Sequence, residues 1–169
     1  MSGKGEVDLM QHLEREITEH VMLCDAKGQL NPNAIGFARQ PLVVSNLRGN
    51  FIRKKKWNYW CIFGEEVMFS ATISHLDYAT VCFVYFLNYE TQRFYEKTVL
   101  VPFTRQVKLS NEVLDRCHFR HEDMSITIDY KHNQTEMLVE VGDFDGEPLQ
   151  ASLQIEHPEE NESLNVVIP

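Results

Sequence analysis

A cluster of cations followed by aromatic residues is the feature of this sequence that most clearly offers chemistry. Five Lys and Arg side chains lie within residues 48–56, and two tryptophans and a tyrosine follow within residues 57–60. Cations of this kind bind carboxylates and anionic head groups, and aromatic side chains line apolar ligand cavities. The predicted ligand-binding residues, with one aromatic residue from a later strand, are Arg48, Arg53, Lys55, Trp57, Tyr59, Trp60 and Tyr85.

The orientation of the aromatic residues decides between two interpretations of this cluster. Alternate residues of a strand share a face, so an inward orientation makes a cavity lining of Trp57, Tyr59, Cys61 and Phe63, with the cations at its rim. Such a cavity suits a fatty acid, an isoprenoid or a polyene. In the competing interpretation, the cations protect an exposed strand and the aromatic residues belong to an ordinary core. Runs of charge are commonly solvated, which favours the competing interpretation.

His75 and Asp77 place an imidazole and a carboxylate close together at a predicted turn. A carboxylate beside a histidine can orient it for acid–base chemistry, so these two are the candidate catalytic residues. The alternative is structural, because Asp favours turns, where its side chain binds the backbone. The sequence does not decide whether the protein is an enzyme.

Other residues capable of metal or cofactor chemistry lack the required spacing. The segment containing Cys117, His118, His121 and Glu122 matches neither a Cys-x-x-C pair nor the helical His-Glu-x-x-His pattern. Asp143 and Asp145 precede a glycine at the wrong position for an EF-hand, so they indicate a hairpin. No nucleophile elbow, phosphate-binding loop or dinucleotide fingerprint occurs, and we expect neither a metal nor a cofactor.

Charge and cysteine content limit the partners and the compartment. The net charge is −9, with nine Lys and Arg against six Asp and Glu in residues 1–60 and seven against nineteen in the remainder. An acidic body disfavours nucleic acid, single strands included. The N-terminus lacks a signal-peptide pattern, and the longest apolar stretch is too short to span a bilayer. The four cysteines form no Cys-x-x-Cys pair, so we expect buried free thiols in a cytoplasmic protein.

The elements that must position these residues are predicted to be antiparallel strands. Aromatic and β-branched runs alternate with five turn sequences, at 63–66, 75–77, 88–92, 131–134 and 143–147. The predicted strands are 57–63, 67–74, 79–88, 93–101, 123–131, 135–142 and 149–157. Sparse apolar residues in a polar segment predict an N-terminal arm or short helix over residues 1–19. A further helical turn is expected near residues 111–117.

The strand at 81–87 differs from the later strands. Residues 124–130 and 149–156 alternate apolar and polar side chains, which is typical of one dry and one solvated face. Residues 81–87 are apolar on both faces, with Val81, Phe83, Tyr85 and Leu87 on one side. We therefore expect a second barrel or a second copy of the chain to cover this strand.

Three longer segments resemble a known but uncharacterised family. They are residues 30–42 (LNPNAIGFARQPL), 47–63 (LRGNFIRKKKWNYWCIF) and 72–103, and their Gly-x-Ala-Arg and Lys-x-Trp-Asn-Tyr-Trp elements are fairly specific. The sequence resembles the N-terminal half of the family catalogued as domain of unknown function 2804. That family is similar to paired lipocalin-like barrels, among them carotenoid hydratases and tocopherol cyclases. The resemblance implies a lipocalin-like (calycin-type) barrel over residues 20–169, as the first of two.

Three functional hypotheses follow. The first is a module that binds an apolar or lipid-like small molecule. The second is an enzyme that hydrates or cyclises an isoprenoid or lipid, with His75 or Asp77 as the acid; only the resemblance raises this hypothesis. The third is an interaction domain that pairs barrels through the strand at 81–87.

Overall fold

The protein is described by a computed structural model that covers residues 14–48, 52–103, 107–158 and 165–167. The strands are β1 (Val21–Met22), β2 (Gly36–Ala38), β3 (Val43–Val44), β4 (Lys56–Phe63), β5 (Val67–His75), β6 (Ala79–Asn88), β7 (Phe94–Pro102), β8 (Val107–Lys108), β9 (Cys117–Arg120), β10 (Met124–Lys131), β11 (Gln134–Phe144), β12 (Glu147–Glu156) and β13 (Asn165–Val167). A single 3-10 turn spans Pro32–Ala34. The prediction of an all-β chain is confirmed.

Two antiparallel meanders make up most of the molecule. One sheet has the order β4-β5-β6-β7, and the other has the order β12-β11-β10-β9-β8. Two small sheets, β1 with β3 and β2 with β13, lie beside them. The seven predicted strands and the five predicted turns between them are found within one or two residues of their expected bounds. No hydrogen-bonded ladder joins the two large sheets within the described ranges.

A shared apolar core lies between the large sheets. On one side, Ile73, Cys82 and Val84 are completely buried, and on the other side Phe119 and Ile126 are buried to the same degree. The predicted dry faces of β10 and β12 point into this core. Burial of this many apolar side chains is the main stabilising term in a chain of this size.

The predicted inward orientation of the aromatic residues of β4 is wrong. Trp57, Tyr59 and Phe63 are 64%, 51% and 71% exposed, whereas Trp60 and Ile62 pack against the core. The alternate set that contains Trp57 is apolar throughout, whereas the other set begins with Lys56 and Asn58, yet it is this second set that packs Trp60 and Ile62 against the core. The space between the sheets is filled by side chains, and Trp57 and Tyr59 lie on the outward face.

Two helical predictions fall near the ends of the described segments. Residues 14–19 form no helix, and residues 1–13 of the predicted arm lie outside the described residues. The helical turn expected near residues 111–117 is wrong, since residues 111–115 form bends and Cys117 begins β9. There the Ser110 hydroxyl accepts the Glu112 N–H (3.1 Å) and donates to Asp115 Oδ2 (2.5 Å), and such local bonds compete with a helix.

The Gly-x-Ala-Arg element has a structural explanation. A side chain at Gly36 would overlap the carbonyl oxygen of Arg15, and its φ of 145° is one that other residues rarely adopt. Ala38 is completely buried, and Arg39 forms an ion pair with Glu16 at 2.9 Å. The element therefore packs the segment before β1 closely against β2.

None of the described residues form a helix of the length and apolarity needed to cross a membrane.

Truncation of the core should be far more damaging than truncation of the outward face. Phe119 is 1% exposed, so Phe119→Ala should lower the free energy of unfolding by about 3–5 kcal/mol through lost burial and a cavity. Phe63 is 71% exposed, and Phe63→Ala should cost less than about 1 kcal/mol. Urea unfolding followed by circular dichroism measures both. Equal losses would contradict a core located between the sheets.

The four thiols should differ sharply in reactivity. Burial raises the pKa of Cys82 to about 12 and that of Cys117 to about 11, so neither forms the reactive thiolate near neutral pH. Cys24 is also buried, and Cys61 is partly exposed on the outward face of β4. We expect an aromatic disulfide reagent to label one thiol in the folded protein and four in guanidinium. Cys61→Ser should abolish the rapid phase, and rapid labelling of two or more thiols would contradict the burial.

Candidate functional site

A cleft with cations on one side and apolar residues on the other lies along the start of β4. Its volume is about 630 Å³, within the usual range for small-molecule sites. We call it the basic cleft. It is lined by Leu23, Ser45, Leu47, Lys54, Lys55, Lys56, Trp57, His75, Val107, Leu109 and Asn111.

The cleft forms because β4 is an edge strand. Within the described residues β4 pairs only with β5, so its other edge faces the segment that contains Leu109 and Asn111. Lys56 bridges the gap, with Nζ donating to Asn111 Oδ1 at 2.6 Å and to the carbonyl oxygen of Leu109 at 3.5 Å. Burial, and then the charge of Lys54, lower the pKa of Lys56. An anion bound beside Lys56 would relieve this penalty.

Asp77 lies beside the cleft, next to two of its lining residues, Lys54 and His75. Its side chain is only 6% exposed, and Oδ1 lies 3.2 Å from Nζ of Lys54 and 3.9 Å from Nδ1 of His75. Its other oxygen, Oδ2, is buried without a hydrogen-bond partner. The residue has a left-handed φ of 64° in the β5–β6 turn, a conformation that Asp tolerates. Lys54 is therefore the closer charge partner of Asp77, because the distance from Asp77 to His75 is too long for a hydrogen bond.

A second depression of about 470 Å³ extends the cleft along β4. It shares Lys56, Trp57 and Leu109 with the basic cleft and adds Tyr59, Trp60 and Val113 among its lining residues. The two together form a groove with the lysines at one end and, at the other, aromatic and apolar side chains beside the carboxylate of Glu112.

The structure brings together only part of the predicted site. Lys55, Trp57 and His75 line the basic cleft, and Tyr59 and Trp60 line its extension. Arg48 and Arg53 are exposed and are not among the lining residues of either depression. Tyr85 lies elsewhere on the outward face, stacked on Phe83 at a ring distance of 4.8 Å.

Sequence analysis missed the apolar side of the cleft. Leu23, Leu47, Val107 and Leu109 come from the chain on either side of the large strands, in short or irregular elements. Their spacing carries no repeating pattern that would group them. The only local signal is the turn between Cys24 and Leu30, which returns the chain beside Leu23.

Of the four metal-capable residues considered from the sequence, only His121 and Glu122 come together. Cys117 is buried in the core, whereas its neighbour His118 lies on the opposite face of β9 by strand alternation. The ligand atoms of His121, Glu122 and Asp123 lie within 4.8 Å of one another in the β9–β10 turn. There Nδ1 of His121 accepts the Asp123 N–H at 3.3 Å, so its lone pair is already engaged.

The geometry can hold an anion beside an apolar chain. Three lysines and one histidine line the basic cleft, and its extension combines aromatic and apolar side chains with polar ones and one carboxylate, Glu112. A family model described as Domain of unknown function (DUF2804) matches residues 14–169. The chain matches no curated protein and no solved structure.

Proposed function

The chain belongs to the DUF2804 family of domains of unknown function, and we propose that it binds an amphipathic anion, an apolar chain that carries a carboxylate or phosphate, in the basic cleft. The family itself assigns no activity, so the proposal depends on the cleft. The observation that carries it is the pairing of three consecutive lysines with an apolar wall in one cleft of about 630 Å³.

The lysines take different parts in the proposed binding. Lys54 is held by Asp77 and Lys56 by Asn111, so both are fixed before a ligand arrives. Lys55 is exposed and lines the cleft, and among the described residues its ammonium has no ion-pair or hydrogen-bond partner to give up when an anion arrives. Preorganised cations lower the entropic cost of binding. The head group would sit among Lys55, Lys56 and His75.

The apolar part of the ligand would follow the groove. Leu109 lines both depressions, with Leu47 at the cationic end and Val113 at the far end. Covering an apolar chain by these side chains contributes affinity in proportion to the area removed from water. A neutral apolar molecule would gain this part of the affinity and lose the contribution of the lysines.

Titration with cis-parinaric acid, a fluorescent polyene fatty acid, tests the proposal. We expect saturable fluorescence for the acid and weaker binding of its methyl ester, which lacks the charge. Lys55→Gln should lower the affinity for the acid roughly tenfold or more, because a hydrogen bond to a charged group is lost, and should leave the affinity for the ester unchanged. Leu109→Asp should lower the affinity for both ligands.

Arg93→Gln is the matched control, because Arg93 is an exposed cation in the β6–β7 turn at the opposite end of the sheet.

The affinity for the anion should also depend on pH. A bound anion raises the lowered pKa of Lys56, so the complex takes up protons and affinity should fall as the pH rises through the titration of Lys56. Absence of saturable binding, or equal effects of the Lys55 and Arg93 substitutions, would refute the proposal.

A second candidate function is acid–base catalysis at His75. The supporting observation is that His75 lines the cleft while a nearly buried carboxylate lies 3.9 Å from its Nδ1. In this scheme an imidazolium at His75 donates its proton to one carbon of an alkene. Water then adds to the other carbon and returns a proton to the imidazole.

Incubation with an unsaturated fatty acid and mass analysis of the product tests this scheme. We expect a gain of one water per molecule with the unaltered chain. His75→Gln should abolish product formation, and Asp77→Asn should lower it, while parinaric acid still binds to both variants. Absence of a hydrated product with a chain that binds parinaric acid would leave binding as the function.

The wider resemblance to paired lipocalin-like barrels, carotenoid hydratases and tocopherol cyclases included, belongs to the same proposal. In it the two large sheets are the walls of a first barrel over residues 20–169, and a second barrel or second copy covers the outward face of β6. Tyr59, Phe94 and Leu100, which are 51%, 51% and 61% exposed on the same face of the sheet, support a covering partner. Four free cysteines support the cytoplasmic location within the proposal.

A further inference from the structure

One end of the four-stranded sheet carries exposed apolar side chains among cations. Lys56 pairs with His75, and His75 pairs with Thr80, so the chain before β4 and the β5–β6 turn lie at the same end. The N–H of Phe103, after β7, donates to the carbonyl of Tyr78 in that turn at 2.9 Å. We call this surface the basic tip and define it by Ile52, Arg53, Lys55, Trp57, Tyr78 and Phe103.

The apolar side chains of the basic tip are highly exposed to solvent. Phe103 is 79% exposed, Trp57 64% and Ile52 60%. Ile52 and Phe103 also have left-handed φ values of 75° and 48°, which are unfavourable for side chains of their size. Exposed apolar groups clustered on one surface usually mark an interaction site, and unfavourable backbone conformations concentrate at such sites.

The charge around the tip is opposite to that of the whole protein. The sequence from residue 26 to residue 64 contains seven of the sixteen Lys and Arg and none of the 25 Asp and Glu. Asp77, in the β5–β6 turn at the same end of the sheet, is paired with Lys54 at 3.2 Å. Charges farther apart than about 8 Å are largely screened at physiological ionic strength, so the local excess of cations matters more for docking than the net charge of the chain.

We propose that the basic tip docks on the surface of a bilayer that contains anionic phospholipids. Trp and Tyr rings favour the interface between head groups and acyl chains, Phe and Ile insert below it, and Lys and Arg attract anionic head groups. Lys55 and Trp57 belong both to the tip and to the basic cleft, so a docked tip places the cleft opening against the lipid. This last step rests on the proposed function; the docking itself does not.

The chemistry of the tip favours a bilayer over a protein partner. Arg53 and Lys55 precede β4 and therefore lie outside its backbone edge, so the tip offers cations and exposed rings and not a strand to extend. A protein partner would instead be expected to need matched acidic side chains. A dimer formed through the tip is the alternative outcome of the test.

Co-sedimentation of the full chain with vesicles tests the docking. With phosphatidylcholine alone we expect little binding, and with about 30% phosphatidylserine added we expect strong binding that falls as salt is raised. Emission of Trp57, measured in a Trp60→Phe background, should shift to shorter wavelength on the anionic vesicles. Lys55→Glu and Phe103→Asp should each weaken binding roughly tenfold or more.

Matched controls lie at the opposite end of the same sheet. Arg93→Glu reverses an exposed cation, and Phe63→Asp replaces a phenylalanine that is 71% exposed. Both should bind anionic vesicles like the unaltered chain. The docking would be overturned if the tip variants and the control variants lost vesicle binding equally, if both vesicle types bound equally, or if neither bound. A dimer that Phe103→Asp converts to a monomer would also overturn it.

The two proposals fail in different ways. Binding of parinaric acid without binding to vesicles leaves the ligand-binding function and refutes the docking. Binding to anionic vesicles without saturable binding of parinaric acid leaves the docking and refutes the ligand-binding function.

Discussion

Burial of the alternate residues of β5 and β6 is the constraint on which the rest of the structure depends. Ile73, Cys82 and Val84 are completely enclosed between the sheets, against residues such as Ile126 and Met137. The β4–β7 ladder is continuous, so this one choice of inward face assigns a face to every residue of the four strands. It is the reason that Trp57 and Tyr59 lie outside and that the interior holds side chains.

A site built at the edge of a sheet follows from that constraint. With the interior filled, the open volume lies where β4 has no neighbouring strand and irregular chain passes at a distance. Lys56 holds this gap at a defined width through Asn111, and Lys54 holds the β5–β6 turn through Asp77. Lys54 and Lys56 therefore hold the chain segments at this edge together as well as giving it a positive charge. The structural role of Lys56 keeps it partly buried, and burial lowers its pKa.

Sequence patterns located the strands well because their signals are local. Turn residues and β-branched runs bracket each of the large strands, and the polar alternation of β10 and β12 identifies their inward faces. The same reasoning failed for β4, because the more apolar alternate set, which contains Trp57, lies outside, and the set that begins with Lys56 and Asn58 supplies Trp60 to the core. The cationic half of the cleft follows from one segment of sequence, whereas Leu23 and Leu109 reach it only through tertiary folding.

The β2–β13 ladder has a consequence for the order in which the protein folds. Ala38 pairs with Asn165, and Gly36 pairs with Val167, so more than 120 residues separate the partners, whereas each large sheet is built from hairpins between neighbouring strands. Closing so long a loop is entropically costly before the intervening chain is compact. The two meanders should therefore form first, and the Gly36 segment, with Arg15 and Glu16 resting on it, should be fastened last. During synthesis the Gly36 segment would wait until Val167 has left the ribosome before it gains this partner strand.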